Sequence, residues 1–81
     1  MSTQAEVVSV LTDTLNLGVR AAGFGADTRL LGSIPELDSM AVVSIITALE
    51  ERFGFVVHDD EISADTFETV ASLTAFVDSK R

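Results

Sequence analysis

The sequence predicts an all-α protein: a small four-helix bundle of three main helices plus a short third helix, with a long first loop. Three observations carry that reading. Apolar residues recur at helical spacing in three stretches, 7–15, 42–53 and 70–77. The short apolar run between the last two, Phe55-Val56-Val57, is too isolated to build a sheet. The 81 residues suffice for one domain and no more, so 1–81 reads as a single domain.

The first helix opens at Thr3-Gln4-Ala5-Glu6, which fits a capping box. Val7, Val8, Val10, Leu11, Thr14 and Leu15 then follow helical spacing, and Gly18 is a natural C-terminal stop. From Gly18 to Leu37 periodicity is lost, and the segment holds four of the five glycines and the only proline, Pro35. It reads as a long ordered loop, of a length that is often functional. Leu30, Leu31 and Ile34 are expected to pin it to the core. Gly23-Phe24-Gly25 lacks the preceding strand and following lysine of a phosphate cradle, so it reads as a turn with Phe24 as an anchor.

The second helix runs from Ser39 to Phe53 with Gly54 as its stop. Val42, Ile45, Ile46, Leu49 and Phe53 make the core stripe, and Met40, Val43, Thr47, Glu50 and Glu51 fall largely off it. Val42, Val43, Ile45 and Ile46 are β-branched and conflict with helix propensity, but the period and end signals outweigh them. Asp59 is placed to cap a short helix through about Ser63, with Asp60 and Glu61 near its N-terminus. The last helix is expected to begin between Asp65 and Thr69, with Asp65-Thr66-Phe67-Glu68 as a capping box. Val70, Leu73, Phe76 and Val77 form its buried face, and Lys80 and Arg81 sit where cations suit the dipole.

Composition narrows the function classes. The net charge is −8, which argues against nucleic acid, since phosphate binding needs clustered Lys and Arg. Ten acids between Glu36 and Asp78 face one base, Arg52. They read either as a solvated face or as steering toward basic partners. With no cysteine there is no disulfide and no Cys-based metal site, and the simplest compartment is the cytoplasm. The first residues lack the basic and apolar regions of an export signal, and no apolar run approaches the ~20 residues of a membrane span. One histidine, no tyrosine and no tryptophan leave little for catalysis, so the chain reads as a protein that is acted upon rather than an enzyme.

Leu37-Asp38-Ser39-Met40 sets an exposed hydroxyl, that of Ser39, at the first turn of the second helix. Alone, Asp-Ser is an ordinary cap. Its companions change the reading. Leu31-Gly32, then the Asp-Ser-Met core, then Leu49-Glu50-Glu51-Arg52-Phe53-Gly54, Val57-His58-Asp59-Asp60-Glu61 and Thr69-Val70 occur in order at suitable spacings. Together they resemble the acyl carrier protein family of fatty acid and polyketide synthesis, over nearly the whole chain.

The resemblance implies a four-helix bundle with a short third helix and a serine, Ser39, that bears 4′-phosphopantetheine. A phosphopantetheinyl transferase would supply that arm from coenzyme A. Acyl groups would ride on its thiol as thioesters between acyl-loading and acyl-consuming enzymes. A phosphodiester on Ser39 would meet the favourable N-terminus of a helix. Asp38 matches the motif acid, with capping and partner contact as its two readings. Met40 and Val43 offer apolar contacts to partners, and Glu50 and Glu51 acidic ones. The resemblance also implies a cargo path along Ile45, Leu49, Val57, Ile62 and Phe67, against the alternative of plain core residues.

The chain departs from the family in three places. Ala41 and Ser44 stand where members commonly carry acids, His58 stands where many have proline, and the segment before Thr69 is slightly longer. These suit a dedicated carrier in a specialised pathway. His58 with Asp59, Asp60 and Glu61 lacks the spacing of a calcium loop, and Ser39 with His58 lacks a nucleophile elbow, so His58 reads as an exposed loop residue. The function expected is acyl carriage by a monomer. The rivals are a peptidyl or aminoacyl carrier and a non-catalytic acidic interaction module.

Overall fold

The computed structural model of the protein describes residues 2–34 and 37–80. Pro35, Glu36 and Arg81, which the sequence reading used, lie outside the described residues. The architecture is the all-α bundle that the sequence predicts. Helix α1 spans Thr3–Leu15, α2 spans Ser39–Phe53 and α3 spans Val70–Lys80. Short 3₁₀ helices occupy Gly18–Gly23, Asp59–Glu61 and Ala64–Phe67.

Helix propensity works against α2, where five β-branched residues, Val42, Val43, Ile45, Ile46 and Thr47, each cost up to about 0.7 kcal/mol relative to alanine. Ile45 and Leu49 are 0% and 1% exposed. Their burial contributes about 1.5–3 kcal/mol each and decides the outcome. Gly54 closes the helix at φ 75°, donating its N–H to the Glu50 carbonyl at 2.8 Å. Such a left-handed residue is inexpensive only for glycine and a few short polar side chains.

The ends of α1 differ from expectation. Ser2, not Thr3, is the N-cap, and its side chain accepts from the Ala5 N–H at 3.1 Å. The Thr3 hydroxyl donates instead to Asp78 Oδ1 of α3 at 2.8 Å. The stop is Asn16, at φ 55°, two residues before Gly18. Leu17 N–H reaches back to the Thr12 carbonyl at 3.0 Å, the long closing bond of a Schellman ending. Leu17 is buried, and that anchor ends the helix early.

The connection from 18 to 38 holds more structure than a loop, since Gly18–Gly23 is helical. Leu30 and Ile34 are buried as expected, but Leu31 is 45% exposed. The connection is fastened to the start of α3. Leu30 and Leu31 donate to the Glu68 and Phe67 carbonyls, both at 3.0 Å, and Val70 donates to the Thr28 carbonyl at 3.0 Å. Arg29 and Thr69 thereby form an isolated antiparallel bridge.

The short helix expected from Asp59 to Ser63 is a 3₁₀ turn over Asp59–Glu61, followed by a second over Ala64–Phe67. Such tight turns serve as connectors too brief for α-helix. The Phe55 ring stacks on that of Phe53 with centroids 6.0 Å apart, and the Val57 N–H donates to Glu50 Oε2 rather than to a strand. The expected capping box at Asp65 is replaced by two others. Ser63 and Thr66 cap the second 3₁₀ turn, and Thr69 and Ser72 exchange bonds of 2.9 and 3.1 Å at the head of α3. Val70, Leu73 and Val77 are fully buried and Phe76 is half-buried. Helix α1 packs against both α2 and α3, so the core is shared among all three.

Candidate functional site

Asp38 fixes the start of α2. Its Oδ1 accepts from the Ala41 N–H at 2.9 Å and its carbonyl accepts from the Val42 N–H at 2.9 Å. Ser39 thus takes the first helical position, with its side chain exposed. Backbone N–H groups in a first turn have no carbonyl within the helix, and together with the dipole they favour an anion. The first turn of α2 carries no acid, so nothing within it repels a phosphate on the Ser39 hydroxyl. Asp38, the nearest carboxylate in sequence, is engaged with the Ala41 amide.

Along the outer face of α2, Met40 is 75% exposed and Val43, one turn on, is 59% exposed. Glu51 is exposed further along. Glu50 is placed differently from Glu51. It is half-buried, and its Oε2 accepts from the Val57 N–H at 2.8 Å. One oxygen of this acid, expected to face partners, is therefore spent on holding the 55–58 segment to α2.

A largely apolar cavity of about 270 Å³ opens between the first connection, α2 and the 3₁₀ turns. Leu31, Val42, Ile62, Ser63, Ala64 and Phe67 line it. Val42 lies three residues after Ser39, and side chains at that spacing sit about 5–6 Å apart between Cβ atoms. The cavity wall therefore begins one helical turn from the Ser39 hydroxyl. Of the five residues expected along a cargo path, Ile62 and Phe67 line this cavity. Ile45 and Leu49 are fully buried in the core instead, and Val57 is half-buried with its amide bound to Glu50. A second cleft of about 330 Å³ lies between α1 and α2, lined by Val10, Asp13, Thr14, Ala48, Glu51 and Arg52. Ala48 is about 14 Å along α2 from Ser39 at 1.5 Å per residue, and the lining is charged, so this cleft is separate from the serine.

Beside the apolar cavity, Glu61 accepts two bonds from Lys80 Nζ, at 2.7 and 2.9 Å, and one from the His58 N–H at 3.0 Å. The Lys80 ammonium, followed by the His58 amide, holds the Glu61 carboxyl below its ordinary value of 4.5. His58 itself is exposed.

The sequence reading missed Val42 as a wall residue because it counted that side chain wholly to the core stripe. Its position one turn from Ser39 was the available signal. Leu31, Ser63 and Ala64 carried none; Leu31 reaches the cavity through a backbone bond to Phe67, far along the chain, and Ser63 and Ala64 through the irregular run between the 3₁₀ turns.

Comparison with known proteins agrees with this geometry. A family model described as the phosphopantetheine attachment site matches residues 5–77. The solution NMR structure of a holo acyl carrier protein from Nitrosomonas europaea is 58% identical, covers 98% of this chain and 95% of that one, and superposes with a TM-score of 0.90. No curated protein matches the chain.

Proposed function

We propose that Ser39 is the residue on which this chain, a member of the phosphopantetheine-attachment-site family and an acyl carrier protein, bears its arm. Proteins of this kind are carriers, not catalysts, and hold 4′-phosphopantetheine covalently. The attached arm supplies the thiol that this cysteine-free chain lacks, and acyl groups join it as thioesters. The residues around Ser39 suit that group. The hydroxyl is exposed, the helix N-terminus favours the phosphodiester, and an apolar cavity begins one turn away.

The observation that carries the assignment is the exposed Ser39 capped by Asp38 at the head of α2, inside a family match that spans 5–77. Its partners are a phosphopantetheinyl transferase and the enzymes that load and consume the acyl group. Met40 and Val43 are the apolar contacts they read, with Asp38 and Glu51 adding charge; Glu50 contributes through its remaining oxygen. The acyl chain itself shelters in the cavity lined by Val42, Ile62 and Phe67. Ala41 and Ser44, in place of acids on the outer face of α2, favour a specialised fatty acid, polyketide or related pathway over a housekeeping one. The carrier works as a monomer, and its lack of cysteine suits the cytoplasm. Among the described residues no helix is long and apolar enough to cross a membrane.

The test is intact-mass analysis after incubation with coenzyme A, magnesium and a broad-specificity phosphopantetheinyl transferase. One arm should be added, peptide mapping should place it on Ser39, and Ser39→Ala should remove it with helix content unchanged. An arm found at another residue, or a wild-type chain that several competent transferases leave unmodified, ends the assignment.

A further inference from the structure

The walls of the apolar cavity are not equally fixed. Val42 belongs to the long helix α2. Leu31 and Phe67 are joined through the Leu31 N–H bond to the Phe67 carbonyl at 3.0 Å, and that pair is backed by the bridge to α3. Phe67 is 2% exposed and cannot move without opening the core. The remaining wall, Ile62 to Ala64, spans the two residues between the two 3₁₀ turns and the first residue of the second. Its far end is held by the Ser63–Thr66 capping box. Its near end comes directly after Glu61, which is clamped by both carboxylate oxygens to Lys80 in the last turn of α3. The side chains of Lys80 and Glu61 are 22% and 31% exposed, so the pair is partly screened by water. It is therefore strong enough to bias a local opening and weak enough to let one occur.

We propose that Lys80, acting through Glu61, is a positioning residue that latches the Ile62–Ala64 wall over the cavity and so sets how readily an acyl chain leaves it. This rests on the reading of the cavity as the shelter for cargo. When the latch parts, Ile62 swings away from Val42 and Phe67. The mouth then widens, while Phe67, buried in the core, stays in place. Neither Glu61 nor Lys80 is bonded to Ser39 or its cap Asp38, so the clamp changes retention without touching the attachment chemistry.

The experiment compares octanoyl and acetyl thioesters of the holo protein in wild type, Lys80→Met, Lys80→Arg and Glu61→Gln. One readout is the rate of thioester cleavage by hydroxylamine, and the other is amide hydrogen exchange at Ile62 and Ser63 of the unloaded holo form. The wild type should cleave more slowly as octanoyl than as acetyl. Lys80→Met and Glu61→Gln should speed octanoyl cleavage and exchange at Ile62 and Ser63 by about two- to fivefold, the range of an exposed ion pair. Acetyl cleavage and exchange within α1 and α2 should not change, which separates an open latch from a damaged fold. Lys80→Arg should restore both rates. If wild-type octanoyl is protected and Lys80→Met leaves that protection intact, the latch is wrong and the cavity reading survives. If the two wild-type thioesters cleave at one rate, the cavity reading fails and the proposal falls with it.

Discussion

Lengthening the acyl group from two carbons to eight should stabilise the folded holo protein, and the cavity sets the size of the effect. Six added methylenes at about 0.8 kcal/mol each give a ceiling of about 5 kcal/mol. The cavity is open to water on one side, so that ceiling is not reached. Ordering the acyl chain costs a further part of the gain. Each 1 kcal/mol of net stabilisation that survives raises Tm by about 4–8 °C in a domain of this size. Differential scanning calorimetry of the octanoyl and acetyl forms measures it. The control is Val42→Phe, which fills the cavity from the α2 side and should bring the two melting curves together. NMR shifts should move at Val42, Ile62 and Phe67 with the longer chain alone. Equal melting temperatures for the two wild-type forms, or an octanoyl gain that survives Val42→Phe, would refute the reasoning.

The surface of α2 and the latch give two further expected outcomes. Met40→Ala should lower kcat/KM with a cognate acyl-loading enzyme more than Glu51→Gln does. An apolar anchor buried by a partner can exceed about 2 kcal/mol, whereas an exposed ion pair contributes about 0.2–1 kcal/mol; equal or reversed losses would contradict it. The Glu61 carboxyl titrates below its ordinary value of 4.5, chiefly because of Lys80, so the unfolded chain takes up that proton more readily than the folded one. Its contribution is present above the ordinary value and is lost as pH falls through the lowered one. The Tm difference between wild type and Glu61→Gln should therefore shrink on acidification, and a difference that stays constant would show that the pair adds nothing.

Fold class, the extent of α2 and the place of Ser39 were legible in the sequence because each rests on local physics. The stripe of Val42, Ile45, Ile46 and Leu49 has the helical period, Asp38 can cap only a helix that begins at the next residue, and Gly54 tolerates the left-handed stop. Helix ends elsewhere were misread where two residues could do the same work. Ser2 competes with Thr3 as a cap, Asn16 competes with Gly18 as a stop, and Thr69–Ser72 displaced the Asp65 box once Thr66 was taken by Ser63. The cavity and its surroundings were decided by the tertiary structure alone. Leu31 meets Phe67 through backbone bonds across 36 positions of chain, Glu61 reaches Lys80 across 19, and Glu50 turns inward to the Val57 amide. Such contacts depend on how the helices settle against a shared core, and no periodicity along the chain encodes which distant side chain will be waiting there.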